Sequence, residues 1–177
     1  MTLVSLAETA LLTPGFAFKS STFGEYPAKV IKIANVAEDL NSKDLSGVDI
    51  SGYPSAKIEK HLVHPGDYFI AMTGSIGKVG RLRHGTAYLN QRVLGIRPYK
   101  DIDKDFVWYL INTSDFRNHL LSHIDSHSVQ ANISANSVGQ FLFDLPSLPT
   151  QQQITSVLKP LDDKIELNNR INDYLAA

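Results

Sequence analysis

From residue 1 to about 148 the chain alternates short apolar runs with Gly, Pro, Ser and Asn, the punctuation of many short strands. The clearest strand candidates are Val30–Val36, Asp67–Thr73, Lys78–Leu82 and Leu89–Arg97. His64-Pro65-Gly66 reads as the turn into the second of these, and Gly74-Ser75-Ile76-Gly77 separates it from the third. Gly85-Thr86 supplies a further turn. The spacings predict an α+β domain that is mostly antiparallel β, with helices packed on the sheet.

Helical spacing appears twice. Between Asp105 and Ile124, the residues Phe106, Val107, Leu110, Ile111, Phe116, Leu120, Leu121 and Ile124 recur at i, i+3 and i+4. A break at Asn112-Thr113 divides this stretch, with Ser114 expected to cap the second helix. Later, Leu145-Pro146-Ser147-Leu148-Pro149 is too proline-rich for helix, and Thr150-Gln151-Gln152-Gln153 reads as a capping box with Thr150 as N-cap. Beyond it Ile154, Leu161, Asn168 and Leu175 lie seven apart; Val157 and Ile171 share their side, as do Leu158 and Ile165. This predicts an amphipathic, coiled-coil-like helix with Asp162, Asp163, Glu166 and Asp173 on a solvated face and Asn168 positioned to fix register. Pro160 requires either a helix that ends near Leu158 and restarts, or one that bends. A helix leaving a β domain through such an exit is expected to project and pair. The chain therefore divides into a domain at 1–148 and a helix at 149–177.

Composition changes this picture little, but the distribution of charge does. The net charge is -1, yet no acid occurs from Tyr68 to Lys100, where Lys78, Arg81, Arg83, Arg92, Arg97 and Lys100 all fall. A basic middle of this kind suits a nucleic-acid face and a solvated strand face equally. The absence of cysteine excludes disulfides, zinc-thiolate sites and a cysteine nucleophile. The N-terminal Met1 to Leu12 has no basic region and too short an apolar run for a signal peptide or span, so a cytoplasmic protein without membrane contact is expected. Gly74 to Gly77 with Lys78 lacks the spacing and the Ser/Thr of a P-loop. His119, His123 and His127 could line one helix face as metal ligands, but Asp125-Ser126-His127-Ser128 reads as a helix exit that removes His127, so no metal is expected.

Several stretches resemble, in order, the specificity subunits of type I restriction-modification enzymes. Pro14-Gly15-Phe16-Ala17-Phe18-Lys19-Ser20-Ser21 is similar to that family's G-x-x-F-x-S segment, and Val30 to Val36 to its next strand. Pro65-Gly66-Asp67 through Thr73-Gly74 to Gly77 resembles P-G-D-hydrophobic-T-G-x-x-G. Tyr88-Leu89-Asn90-Gln91 resembles Y-x-N-Q, and Ser128-Val129-Gln130-Ala131-Asn132-Ile133-Ser134 resembles S-x-Q-x-N-I-S. Leu145 to Gln153 and Leu161 to Asn172 resemble the proline-rich exit and the spacer helix. Two departures are Thr150, where an acidic residue commonly precedes the glutamine, and Pro160 within the helix.

The resemblance implies a non-catalytic, sequence-specific DNA-binding half-subunit: one target-recognition domain and one spacer helix, where a full subunit has two of each. It implies pairing as a homodimer through Ile154, Val157, Leu158, Leu161, Ile165, Asn168, Ile171 and Leu175, and reading of a bipartite site on double-stranded DNA. Methyl transfer and cleavage would belong to separate modification and restriction subunits, with S-adenosylmethionine on the former and no cofactor here. The candidate DNA-contacting residues on loops are Lys19, Ser20, Ser21, Thr22, Thr73, Ser75, Lys78, Asn90, Gln91, Arg92, His127, Ser128 and Gln130, with Arg81 and Arg83 as phosphate contacts. The competing classes are a protein- or carbohydrate-binding β domain with a dimerisation helix, and an enzyme whose site forms only on folding.

Overall fold

The computed structural model describes residues 2–124 and 131–176. The order begins with β1 (Thr2–Ser5), a single helical turn α1 (Leu6–Thr9) and β2 (Ala10–Pro14). Strands β3 (Phe23–Ile31), β4 (Asp39–Asn41) and β5 (Gly47–Val48) follow, then α2 (Ser55–Ile58) and β6 (Leu62–Val63). Next come β7 (Tyr68–Ala71), β8 (Val79–His84), β9 (Ala87–Leu89) and β10 (Val93–Pro98). The last third holds α3 (Lys104–Ile111), α4 (Ser114–Ser122), α5 (Ala135–Gly139), β11 (Leu142–Leu145) and the long α6 (Leu148–Ala176).

Three layers result. A five-stranded sheet, ordered β2-β10-β7-β8-β4, is covered on one face by α3 and α4 and on the other by a four-stranded sheet, β5-β3-β9-β6. Antiparallel pairs dominate; β3 with β9 and β4 with β8 are parallel. The two-sided cover explains why Tyr68–Ala71 is a continuous apolar run and not an alternating one. Tyr68 and Ile70 enter the helix-side core with Leu94, Ile96, Trp108 and Phe116, while Phe69 and Ala71 enter the inter-sheet core with Ile31, Leu82 and Leu89. A smaller cluster of Phe18, Val30, Val48 and Ile58 closes the far side.

Local chemistry corrects several expected boundaries. The strand expected over Val30–Val36 ends at Ile31, because the Asn35 side chain accepts the Lys32 N–H at 3.0 Å and closes a 3-10 turn at Ile33–Asn35. The break at Asn112-Thr113 is present, but Thr113 is the cap of α4, accepting the Phe116 N–H at 3.2 Å. Thr150 is not the N-cap of α6. That helix starts earlier, with the Ser147 hydroxyl accepting the Thr150 N–H at 3.4 Å and Pro149 in the first turn, where its missing N–H removes nothing. At Pro160 the helix is continuous. Among the described residues no helix is long and apolar enough to cross a membrane.

His61 ties β2 to the segment before β6, its buried Nδ1 donating to the Pro14 carbonyl at 2.7 Å. Burial lowers its pKa below the usual histidine value; the Pro14 bond opposes this and Lys60 adds to it. A depressed folded-state value means that the neutral ring stabilises the fold above the unfolded pKa near ~6.5, and that this is lost as pH falls through the folded value. The melting-temperature gap between the native protein and His61→Gln is therefore expected to narrow as pH is lowered from about 7.5 to about 5.5. A gap constant across that range would contradict the assignment.

Candidate nucleic-acid interface

Three chain segments meet at one end of the five-stranded sheet. The antiparallel register Val93↔Ala71 and Leu94↔Pro14 puts the exit of β7, the entry of β10 and the exit of β2 side by side. The Met72 N–H donates to the Arg92 carbonyl at 2.9 Å, and the Gln91 N–H to the Phe16 carbonyl at 2.9 Å. Thr73 pairs with Asn132 as an isolated bridge, drawing in the segment before α5. Thr73 itself is buried and holds the fold, whereas Ser75, Lys78, Gln91 and Arg92 are exposed at this end. Arg92 adopts φ 68°, a left-handed conformation unusual for a side chain of its size. That turn carries the chain from Asn90 into β10.

The remaining candidates divide. Lys19, Ser20 and Ser21 lie exposed on a 3-10 turn, with the Lys19 N–H donating to the Tyr53 hydroxyl at 3.0 Å and Thr22 Oγ1 to the Lys19 carbonyl at 2.7 Å. Asn90 is half-buried and its Oδ1 has no hydrogen-bond partner among the described residues. His127, Ser128 and Gln130 lie outside the described residues, as does the helix exit expected at Asp125–Ser128. His119 Nε2 meets the Ser137 carbonyl and His123 Nδ1 the His119 carbonyl, both at 2.8 Å. Among the described residues no three His, Cys, Asp or Glu side chains are placed to share a metal ion.

The basic middle proves to be two populations. Arg97 donates to the buried carboxylate of Asp67 at 3.0 and 2.7 Å and to the Leu62 carbonyl at 3.0 Å; the Asp67 bonds push its pKa up further, against the effect of burial. Arg81 and Arg83 both donate to Asp39 Oδ1 at 2.6 Å, and Arg81 also lies 4.3 Å over the Trp108 ring. Burial alone would raise the Asp39 carboxyl, but the two guanidinium groups hold it below the usual carboxylate range. Arg83 further reaches Glu166 of α6 at 3.0 Å. Arg81 and Arg83 are thus engaged with the helix side of the sheet, away from the loop end; only Lys78 and Arg92 of the stretch reach that end.

The last of those ion pairs belongs to the anchorage of α6. Gln151, buried, accepts the Asp103 N–H and donates to the Pro146 carbonyl, each at 2.9 Å, locking the helix root to the cap of α3. Lys159 pairs with Asp105 at 3.7 Å, Glu166 meets Arg83, and Asp162 faces Tyr109, whose hydroxyl pKa is raised by burial and by that carboxylate. Asp162 and Glu166, expected on a solvated face, therefore turn to the domain because Tyr109 and Arg83 offer polar partners there. The spacing of Gln151, Thr155, Lys159, Asp162 and Glu166 is a single helical stripe, and it is polar throughout. Ile154 and Leu158 are half-buried near the root. The seam beyond them stays open: Val157 is 65%, Leu161 55%, Ile165 58% and Leu175 76% exposed. At about 100° per residue this seam lies roughly a third of a turn from the anchoring stripe.

Asp39→Asn removes the carboxylate that two arginines share, leaving Arg81 without its ion pair and Arg83 with Glu166 alone. A loss of about 1–2 kcal/mol in urea unfolding is expected, discounted for partial exposure of the cluster. A variant as stable as the native protein would show that the cluster contributes nothing net.

Residues 5–177 match the family described as the type I restriction modification DNA specificity domain. The chain belongs to that family. Its members are the specificity components of these systems and not their catalysts. Among curated relatives, the specificity subunit of the type I restriction enzyme HindI from Haemophilus influenzae is 33% identical over 72 residues, which is 40% of this chain and 16% of that protein. The solved HsdS subunit from Thermoanaerobacter tengcongensis superposes with TM-score 0.67 at 17% identity, covering 96% of this chain and 39% of that one. The S subunit from M. genitalium gives TM-score 0.62 at 14% identity over 93% of this chain and 40% of its own. A structure of a type I system solved for its complex assembly and conformational transition gives TM-score 0.69, again covering 96% of this chain and 40% of that one. This specificity domain therefore spans about two-fifths of the solved chains it resembles.

The residue this geometry adds to the sequence-based set is Arg117 of α4, which lines a cleft with Ser75 and Lys78. Arg117 is brought there because Leu120, one turn on, packs against Gly77. No local pattern marks such a contact.

Proposed function

We propose that this chain reads one half of a bipartite, double-stranded DNA site and does so as a non-catalytic specificity component, paired through α6 with a second copy. The observation that carries the reading is the division of labour along α6. A polar stripe fixes the helix to its own domain, so the apolar seam of Val157, Leu161, Ile165, Ile171 and Leu175 remains for another helix. A helix destined only to pack on its domain would turn that seam inward.

In the pair, two loop ends are held at a fixed separation on one duplex. Lys and Arg at those ends neutralise phosphates, while Asn90 and Gln91 are assigned to base edges, as are His127, Ser128 and Gln130 on the family resemblance alone. A separate methyltransferase subunit, carrying S-adenosylmethionine, and a restriction subunit would be directed by this reading. Arg83 is assigned to holding α6, and Arg81 to the Asp39 cluster beside it, in place of phosphates. The protein is expected to act where bacterial DNA is, in the cytoplasm.

The test is methylome sequencing of a strain that expresses this chain with its modification subunit. A new adenine-methylated motif, symmetric and interrupted, is expected. Duplex binding with no such motif would leave a DNA-binding module outside modification; no duplex binding at any salt would favour the competing protein- or carbohydrate-binding class.

A further inference from the structure

Between the loop after β7 and helix α4 lies a cleft of about 300 Å³ lined by Ser75, Ile76, Gly77, Lys78 and Arg117. From its geometry we infer a phosphate-binding clamp that seats one phosphodiester of the duplex backbone. The inference rests on the DNA-reading assignment above, and it separates residues that position the domain from residues that read sequence.

Four observations point to an anion. Lys78 and Arg117 are exposed and form no ion pair among the described residues, unlike Arg81, Arg83 and Arg97. Among the described residues neither carries an internal carboxylate that a ligand would have to displace. Gly74 at φ 66° and Gly77 at φ 80° give the loop alternating handedness. Such loops turn successive main-chain N–H groups towards one point, a concavity that suits anions. Within the loop the Gly77 N–H donates to the Ala71 carbonyl and the Lys78 N–H to the Ser75 carbonyl, which fixes its shape. The N–H groups of Ser75 and Ile76 make no hydrogen bond among the described residues and remain for a ligand.

The cleft's lining decides the kind of anion. It contains no aromatic ring on which a free nucleotide's base could stack, and it opens at the end where Gln91 and Arg92 are also exposed. A polymer whose phosphates run past that end meets the cleft without further rearrangement. Because it acts on the backbone, the clamp sets register and contributes the same amount for every sequence.

The experiment is fluorescence anisotropy of the protein, with its modification subunit, on random and on recognised duplexes across a salt series. Lys78→Gln and Arg117→Gln are each expected to weaken binding to both duplexes by the same factor. Each should also reduce the log–log salt slope by about 0.9. Lys78→Arg should restore the slope, and inorganic phosphate at millimolar concentration should not compete as a short duplex does. Both glutamine variants change exposed side chains, so native melting temperatures are expected. Unchanged affinity and slope in these variants, with the native protein binding normally, overturn the clamp alone. A changed preference between sequences overturns it in favour of base reading. If the native protein binds no duplex, the DNA-reading assignment falls and the clamp falls with it.

Discussion

Leu161→Asp combined with Ile171→Asp is expected to turn a dimer of about twice 19.6 kDa into a monomer of 19.6 kDa in light scattering. Both side chains are about half exposed in the single chain and touch no core cluster, so the substitution leaves the domain's own packing intact. In a pair of helices each would be buried, and burial of a Leu or Ile contributes about 1.5–3 kcal/mol. Two-fold symmetry doubles every change. With each side chain already about half buried, four lost contacts at the lower figure come to ~3 kcal/mol, a weakening of about 10²-fold before the cost of burying carboxylates is added. Binding to a two-part site should fall with it, while the melting temperature of the domain stays within a few degrees. A native chain that scatters as a monomer at tens of micromolar would refute pairing through α6.

Gly15→Ala is expected to produce the largest loss of stability. Gly15 stands where β2 leaves the sheet, its N–H donating to the Val93 carbonyl at 2.8 Å. A Cβ there would run into the main-chain carbonyls of Leu89 and Asn90, which cannot swing aside as a side chain can. Accommodating it means separating β2 from the β9–β10 turn, a strain of about 3 kcal/mol or more. For a chain of this length that is roughly 6–12 °C in melting temperature. Because Phe16, Asn90 and Gln91 share the same junction, the substitution should also disorder the loop end and reduce DNA binding beyond what stability alone predicts. A melting temperature within two degrees of native would show that the junction yields easily.

What could be seen in the sequence was whatever depends on neighbours along the chain. Gly66, Gly74, Gly77 and Gly85 mark turns because each takes a positive φ, and every one of these turns was legible. The run Tyr68–Ala71 stood out as a strand, and the seam of α6 appeared as a seven-residue repeat. What was hidden depends on partners far away. The ion pairs of Arg81 and Arg83 had no local sign because Asp39, some forty residues earlier, joins their sheet only through the parallel β4–β8 pairing. Asp162 and Glu166 looked solvated because nothing local announces Tyr109 and Arg83. Thr150 looked like a cap because the competing hydroxyl of Ser147 stands only three residues earlier. Arg117 had no signature at all; a single packing contact between Leu120 and Gly77 places it.

Strand β1 pairs along its whole length with β11, from Thr2↔Leu145 to Ser5↔Leu142. The polypeptide thus enters and leaves the recognition domain through one doorway, immediately before the root of α6. A different reading head between Leu6 and Phe141 would keep that doorway, provided that it supplies the partners of α6 that Arg83, Asp103 and Asp105 supply here. Domains with adjacent ends tolerate transplantation and duplication well. A fold arranged this way behaves as an interchangeable cassette, in which new specificity can be acquired wholesale by recombination as well as gradually by drift in the loops.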